Sequence, residues 1–285
     1  MSRAISALLT LPMLAMSANP WGFALATSAG RLPGARPQRR ARVIPYFQPR
    51  IRLADGAITG FEALARQVDR DGEVLLPAAF LSNYATPAAK AELLLTMLDA
   101  VLSLAAQWRR GGVDLPVSLN IDAAQVCETT FAETIFSLAA NYPGCLARLH
   151  FELLESGAVE CYEATNATIR ALRSHGVRFH LDDFGAGFAT PLHLKRLAIS
   201  TVKIDREFVQ GIATNDADRT VVAALISIAK AFGCSVVAEG AQTRQILDTL
   251  AALGCDEAQG FAIARPMPAD EVLAWVRRSG RPLGD

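Results

Sequence analysis

The sequence predicts an α/β protein, a TIM-like (β/α)8 barrel with an antiparallel first strand. Three observations lead there. From residue 43 onward short apolar runs alternate with amphipathic segments, about eight runs in about 243 residues, and that length suits a closed barrel. The first two runs are separated only by Ala54-Asp55-Gly56, too short for a helical crossover, so they form an antiparallel hairpin. After them strand and helix alternate, and units of that kind build a parallel sheet. An open doubly wound sheet is the alternative. No GxGxxG or GxxxxGK(S/T) loop follows any strand, which weighs against it.

In chain order, strands are expected over 43–52, 58–64, 116–121, 147–153, 177–182, 200–205, 235–238 and 257–261. Each is short and rich in Val, Ile, Leu or Phe. Helices are expected over 87–108, 129–140, 160–175, 215–232, 243–253 and 269–278. Asn215-Asp216 opens the fourth of these and Gly233 ends it; Thr243 and Gly254 bracket the fifth. Pro266 and Pro268 mark the last strand-to-helix turn. Trp108 and Trp275 fall on helices and read as packing residues. His150, His175, His180 and His193 read as structural or surface residues.

The chain has 28 basic and 28 acidic side chains, and a net charge of zero argues against a binder of nucleic-acid polymers. The balance is uneven along the chain. Residues 1–42 hold Arg3, Arg31, Arg36, Arg39, Arg40 and Arg42 and no acid, so the body over 43–285 is acidic. Residues 4–30 carry no charge, and Pro12, Asn19 and Pro20 interrupt them. Three readings of this leader stand. It is a disordered extension, a membrane tether with the following arginines on the cytoplasmic side, or a cleaved signal with Ala24-Leu25-Ala26 as its site. In each case the Arg- and Pro-rich stretch 31–42 is a linker. The cysteines Cys127, Cys145, Cys161, Cys234 and Cys255 form no CxxC pair, which suits a reduced cytoplasmic protein.

The informative residues lie where strands stop, because the site of such a barrel is built at the carboxyl ends of its strands. Those ends supply Glu62, Asn120 in VSLNID, Glu152 and Glu155 in FELLE, and Asp182 and Asp183 in FHLDDFGAGF. They also supply Lys203 and Asp205 in TVKID, Glu239 in VVAEG, and Gln259 in EAQGF. A single acid at a strand end is ordinarily a solvated loop residue or a helix cap. Several carboxylates aimed into one mouth repel each other, and multivalent cations relieve that cost. Oxygen ligands without Cys or His suit Mg²⁺ or Mn²⁺. Side chains alternate along a strand, so Lys203 and Asp205 share a face opposite Val202 and Ile204. Glu152 and Glu155 cannot face the same way, and Glu152 is the better ligand. Asp182 and Asp183 reach one metal each only if the chain turns there, which Gly185 and Gly187 permit.

Glu62-Ala63-Leu64 resembles the signature of the EAL domain family, the bacterial cyclic-di-GMP phosphodiesterases. The resemblance extends through Phe47-Gln48-Pro49, GFEALAR, VSLNID, FELLESGAV, LDDFGAGF, LKRLAISTVKIDREFV, VVAEGAQT, LGCDEAQGF and ARPMPADE, in the family's order. It spans roughly residues 44–272. It implies a barrel with an antiparallel first strand and a site of two Mg²⁺ or Mn²⁺ ions held by Glu62, Asn120, Glu152, Asp182, Asp183 and Glu239. Lys203 corresponds to the family's lysine beside the catalytic water. Gln48, Leu64, Arg66, Asp205 and Gln259 match positions lining the substrate groove. Glu155 matches the residue anchoring the loop after Asp183, a loop tied to dimerisation and activity. Lys203, Glu62 and Glu155 are therefore the expected catalytic group, cyclic-di-GMP the expected substrate, and a homodimer the expected assembly. A cytoplasmic protein, or one attached to the cytoplasmic face of the inner membrane through residues 4–30, is the expected location.

Three positions depart from the family pattern. Gln242 replaces the usual Glu three residues after Glu239, which implies weaker activity rather than none. Phe188-Ala189-Thr190-Pro191 replaces the usual Tyr-Ser-Ser-Leu, and the fixed φ of Pro191 alters the loop. Ala65 replaces the commoner Leu, which alters packing only. An active phosphodiesterase is the leading expectation. A catalytically silent cyclic-di-GMP receptor is the alternative, and a partner-binding protein that has left nucleotides altogether is the third. Asp183-Phe184-Gly185 is no kinase motif, because the Gly-rich loop, the VAIK lysine and the HRD loop are absent.

Overall fold

A computed structural model describes residues 41–154, 161–186 and 191–284. The sheet begins with the hairpin. In β1 (Arg42–Arg52) and β2 (Ile58–Val68), Arg42 stands opposite Val68 and Ile51 opposite Ile58. Asp55 Oδ1 accepts from the Ala57 amide at 3.0 Å, and Gly56 takes the positive φ of 73° that the turn requires. The parallel strands follow as β4 (Val117–Asp122), β5 (Leu149–Leu154), β6 (Arg178–Phe184), β7 (Thr201–Ile204), β8 (Ser235–Ala238) and β9 (Glu257–Gln259). Each pairs with the next, β2 pairs in parallel with β4, and β9 returns antiparallel to β1. The eight strands therefore close into a barrel with β1 antiparallel to both neighbours, as the sequence predicts. Two-residue strands add to the edges, β3 (Val74–Leu75) on β2 and β10 (Met267–Pro268) on β1.

The main helices are α1 (Pro87–Arg110), α3 (Phe131–Ala139), α4 (Tyr162–Arg173), α7 (Asp216–Ala231), α8 (Arg244–Ala252) and α9 (Ala269–Ser279). Their starts follow the cap chemistry read from the sequence. Asn215 accepts from the Ala217 amide and Thr243 from the Ile246 amide. The short helices α2 (Ala123–Val126), α5 (Pro191–Arg196) and α6 (Arg206–Val209) are too brief to show a 3.6-residue period, and the sequence does not announce them.

Several expected strands differ at their ends: the one expected over 58–64 runs on to Val68, those over 147–153 and 177–182 span Leu149–Leu154 and Arg178–Phe184, and two others stop short. The strand predicted over 200–205 stops at Ile204, because Asp205 caps α6 and accepts from the Glu207 amide at 2.6 Å. The strand predicted over 257–261 stops at Gln259, because Gly260 turns the chain against Ala241.

Alternation sets what the barrel buries. Val117, Leu119, Phe151, Phe179, Val202, Ile204 and Val236 pack outward, in two apolar clusters beneath the helices. Trp108 is buried with its ring centroid 4.6 Å from that of Phe47, and Trp275 packs edge-on against Phe61, so both are packing residues. The intervening residues, polar almost throughout, form the barrel interior. Ala65 packs against the outer cluster, in line with a packing role.

Gly260 tests the closure of this ring. A Cβ there would meet the Ala241 carbonyl oxygen at 2.2 Å and its nitrogen at 2.4 Å. Gly260→Ala is therefore expected to destabilise the barrel by about 1–3 kcal/mol, read as a lower urea midpoint. An unchanged midpoint contradicts the close packing of these two turns.

Candidate active site

Lys203 organises the mouth of the barrel. It is the mouth-side inward residue of β7 and only 1% exposed. Its Nζ lies 2.6 Å from Glu152 Oε2, 3.2 Å from Asp182 Oδ1 and 3.4 Å from Glu62 Oε2, and it also pairs with Glu239 Oε1. The partners come from β2, β5 and β6 and from the residue after β8. Regular alternation brings them together: Glu62, Asn120 and Glu152 each lie between two outward apolar neighbours, and Asp182 follows the outward Leu181.

Amide side chains finish the ring. Gln259 Nε2 donates to Glu62 Oε2 at 2.6 Å and to Gln48 Oε1 at 3.1 Å. Gln48 Nε2 donates to the Ala264 carbonyl, and Asn120 Nδ2 donates to Glu62 Oε1 at 2.9 Å.

The electrostatics of the group are strongly unequal. Burial works against the Lys203 ammonium, but Asp182, Glu152, Glu239 and Glu62 outweigh it and hold its pKa well above the ordinary lysine value. Burial pushes Asp182 well above the usual carboxylate range; Lys203 opposes this, and Glu239, Glu152 and Glu62 add to it. Burial also raises Glu239, to about 7. Glu152 goes the other way: burial raises it, but Lys203 and Arg50 together hold it below the usual value. Asp183 is raised by burial and by its hydrogen bond to Asp205.

The donor set fits divalent cations. Asp182, Asp183 and Glu239 each place a carboxylate oxygen within 4.8 Å of the others. Asn120 Oδ1 is buried without a hydrogen-bond partner. An oxygen acceptor left unpaired beside crowded carboxylates is what a hard cation satisfies. The turn that brings the two aspartates together falls on Asp183 itself, whose φ is +50°, and on Gly185, whose φ is +100°. Asp183 then donates its amide to Asp182 Oδ1 at 3.1 Å.

Two cavities flank this centre and share Leu64 and Asn120 as walls. One of about 270 Å³ is bordered by Gln48, Glu239, Gln259 and Phe261. The other, about 400 Å³, is mostly apolar and bordered by Tyr84, Leu93 and Met97.

The structure thus brings together Gln48, Glu62, Leu64, Asn120, Glu152, Asp182, Asp183, Lys203, Glu239 and Gln259. It corrects the expectation for Asp205, which sits past the strand end beside Asp183 rather than on the barrel-facing side of β7. Arg66 borders neither cavity: its Nη1 donates to the Ala65 carbonyl at 2.8 Å and its guanidinium stacks 5.5 Å over Tyr46. Glu155, Gly187, Phe188, Ala189 and Thr190 lie outside the described residues, as do residues 4–30. Gln242 is exposed on the wall of the smaller cavity.

Sequence reasoning missed Arg206 and Gln210 on that wall. It missed Arg50 inside the barrel, and it read His150 and His180 only as structural or surface residues, whereas both are buried there. Burial holds both of these imidazoles well below their usual pKa, with positive charge from Arg50 adding to the effect. The alternation of RLHFE and RFHLDD placed both histidines on the ligand face, a signal available in the sequence.

The EAL domain family model matches residues 31–266. The bifunctional diguanylate cyclase/cyclic di-GMP phosphodiesterase MucR of Pseudomonas aeruginosa is 31% identical over 242 residues, covering 83% of this chain and 35% of that protein. The cyclic di-GMP phosphodiesterase PA2567 of the same organism is 33% identical over 236 residues, covering 81% of this chain and 40% of that protein. The chain therefore spans well under half the length of these relatives. A solved PaMucR phosphodiesterase in complex with c-di-GMP superposes with a TM-score of 0.74 at 28% identity, covering 81% of this chain and 94% of that one. Barrel, acidic mouth and family match agree, and the chain belongs to the EAL domain family.

Proposed function

We propose that the protein is a metal-dependent phosphodiesterase that opens cyclic-di-GMP to linear pGpG and so lowers the level of this second messenger. The observation that carries the reading is the convergence of Glu62, Glu152, Asp182 and Glu239 on one buried lysine, beside an unpaired Asn120 oxygen. The names of the relatives support the substrate.

Glu62, Asn120, Glu152, Asp182, Asp183 and Glu239 would hold two Mg²⁺ or Mn²⁺ ions, which when bound neutralise charge on the phosphodiester and acidify the attacking water. Lys203 keeps its proton, so its ammonium orients that water and offsets negative charge growing on the phosphoryl oxygens. The water oxygen bonds to phosphorus while the bond from phosphorus to the 3′ oxygen breaks. The water gives up a proton and the leaving oxygen gains one. Gln259 fixes Glu62 and is itself held by Gln48, both offer amide groups to the ligand, and Leu64 gives an apolar contact at both cavities. Arg66 carries a fork of donors suited to a phosphate, one of which the Ala65 carbonyl engages. Asp205 acts on the groove through Asp183.

A silent receptor is the second reading, and Gln242 is its motive. Gln242 stands exposed at the rim and makes none of the contacts of the buried carboxylate ring, which favours turnover. A homodimer steadied by Glu155 rests on the family resemblance, and a cytoplasmic location on that and on five cysteines without a CxxC pair. Among the described residues no helix is long and apolar enough to cross a membrane, and the expected tether at 4–30 lies outside them.

The full chain, supplied with Mn²⁺ or Mg²⁺ and cyclic-di-GMP, is expected to yield pGpG by chromatography. A folded, metal-loaded protein that binds the dinucleotide without turnover is the receptor; one that does neither sinks both readings. A second outcome follows from Glu239. Its carboxyl holds a proton up to about 7, and a cation must displace it. Mn²⁺ affinity measured by calorimetry should therefore rise as pH increases through about 7. In the metal-free protein the sign is opposite. The folded state binds this proton more tightly than the unfolded chain, so stability falls as pH rises between the ordinary glutamate value of 4.5 and about 7. Flat profiles in both experiments contradict the crowding of carboxylates.

A further inference from the structure

Below the ring of carboxylates the barrel holds a second polar layer that the proposed chemistry does not use. Barrels of this class usually fill their interior with branched apolar side chains. Here the residues two positions before Asn120, Glu152, Asp182 and Lys203 are Ser118, His150, His180 and Thr201. β1 runs the other way and adds Arg50 two positions after Gln48. All five of these residues are 6% exposed or less. Gly60 makes the room. It stands opposite Arg50 across the hairpin, and a Cβ there would come within 2.9 Å of Arg50 Nη2 and 2.8 Å of the Pro116 carbonyl oxygen.

Arg50 faces one carboxylate. Its Nη1 lies 3.9 Å from Glu152 Oε1 and 3.3 Å from His180 Nδ1, and that nitrogen is itself 3.6 Å from the same Glu152 oxygen. The other oxygen of Glu152, Oε2, takes Lys203 at 2.6 Å. Glu152, with no exposed surface, is thus bracketed between two buried cations, Lys203 on the mouth side and Arg50 on the floor side. Among the described residues Arg50 has no other carboxylate within ion-pair distance, and a buried guanidinium without a counter-charge is strongly disfavoured. The two groups therefore constrain each other. A glutamate has three rotatable bonds, and a metal ligand has to present one oxygen in one direction.

We propose that Arg50, with His180 beside it, is a positioning residue that draws Glu152 Oε1 toward the barrel floor and so aims Oε2 at the metal site. The inference rests on the metal-binding reading above. The geometry distinguishes it from simple core filling: the guanidinium, like the Ser118 hydroxyl, reaches Glu152, a residue of the metal site, while Thr201 in the same layer pairs with Ser235.

The test is Mn²⁺ binding to the full chain, measured by calorimetry and by the loss of the free-ion electron paramagnetic resonance signal. Arg50→Met is expected to weaken Mn²⁺ about 10–100-fold, the usual effect of removing a partner of a metal ligand. Arg50→Lys keeps the charge and is expected to recover part of that loss. His180→Leu, which removes the neighbour while leaving Arg50 in place, gives a second measurement in the same direction should Arg50→Met not fold. A folded Arg50→Met or His180→Leu protein that binds Mn²⁺ as tightly as wild type overturns the proposal. So does a lower unfolding temperature with unchanged Mn²⁺ affinity, the signature of a purely structural arginine. Wild-type protein that binds no Mn²⁺ overturns the metal-binding reading itself.

Discussion

One ammonium group buried among carboxylates holds the mouth of this barrel together. Lys203 could not be enclosed without counter-charges, and Glu62, Glu152, Asp182 and Glu239 could not crowd together without a cation between them. Neither side of this arrangement is stable alone, so β2, β5, β6 and the turn after β8 are tied through one nitrogen. The unequal response of the acids follows from that geometry. Glu152, bracketed by two cations, stays ionised easily, while Asp182 and Glu239, with fewer positive neighbours, resist ionisation.

Strand alternation carries this interaction into the fold. The residues on either side of Glu62, Asn120, Glu152 and Lys203 are apolar and pack in the outer clusters, as Phe151 and Leu153 do around Glu152 or Val202 and Ile204 around Lys203. The apolar clusters lie outside the sheet, and the interior is left to charge and hydrogen bonds. A one-residue slip of any strand would exchange the two environments. The same requirement that specifies register therefore also assembles the site. Gly60 and Gly260 mark places where it leaves no room for a side chain.

Much of this was legible in the chain. Hairpin, barrel class and most helices follow from spacing, turn chemistry and caps. Strand-end polar residues pointed to the ring around Lys203, because a period of two and a polar terminus suffice to place Glu62, Asn120, Glu152 and Lys203 on one face. Asp205 was misplaced because a residue can continue the alternation of TVKID and yet cap the next helix; its own short side chain favours the cap. The turn at Asp183 was credited to glycines, although a non-glycine residue adopts the left-handed conformation. Arg50 and His180 were overlooked for a different reason. Interior positions below the mouth are expected to be apolar, so polar residues there read as surface until the register shows them enclosed.

The central claim is that Lys203 and divalent cations share one set of carboxylates. Anomalous scattering from a crystal of the protein grown with Mn²⁺ tests it directly. The account predicts two peaks bounded by oxygens of Glu62, Asn120, Glu152, Asp182, Asp183 and Glu239, with Lys203 no longer contacting all four of its acids. A crystal that shows no peak there, with Lys203 still paired to Glu62, Glu152, Asp182 and Glu239, would contradict it.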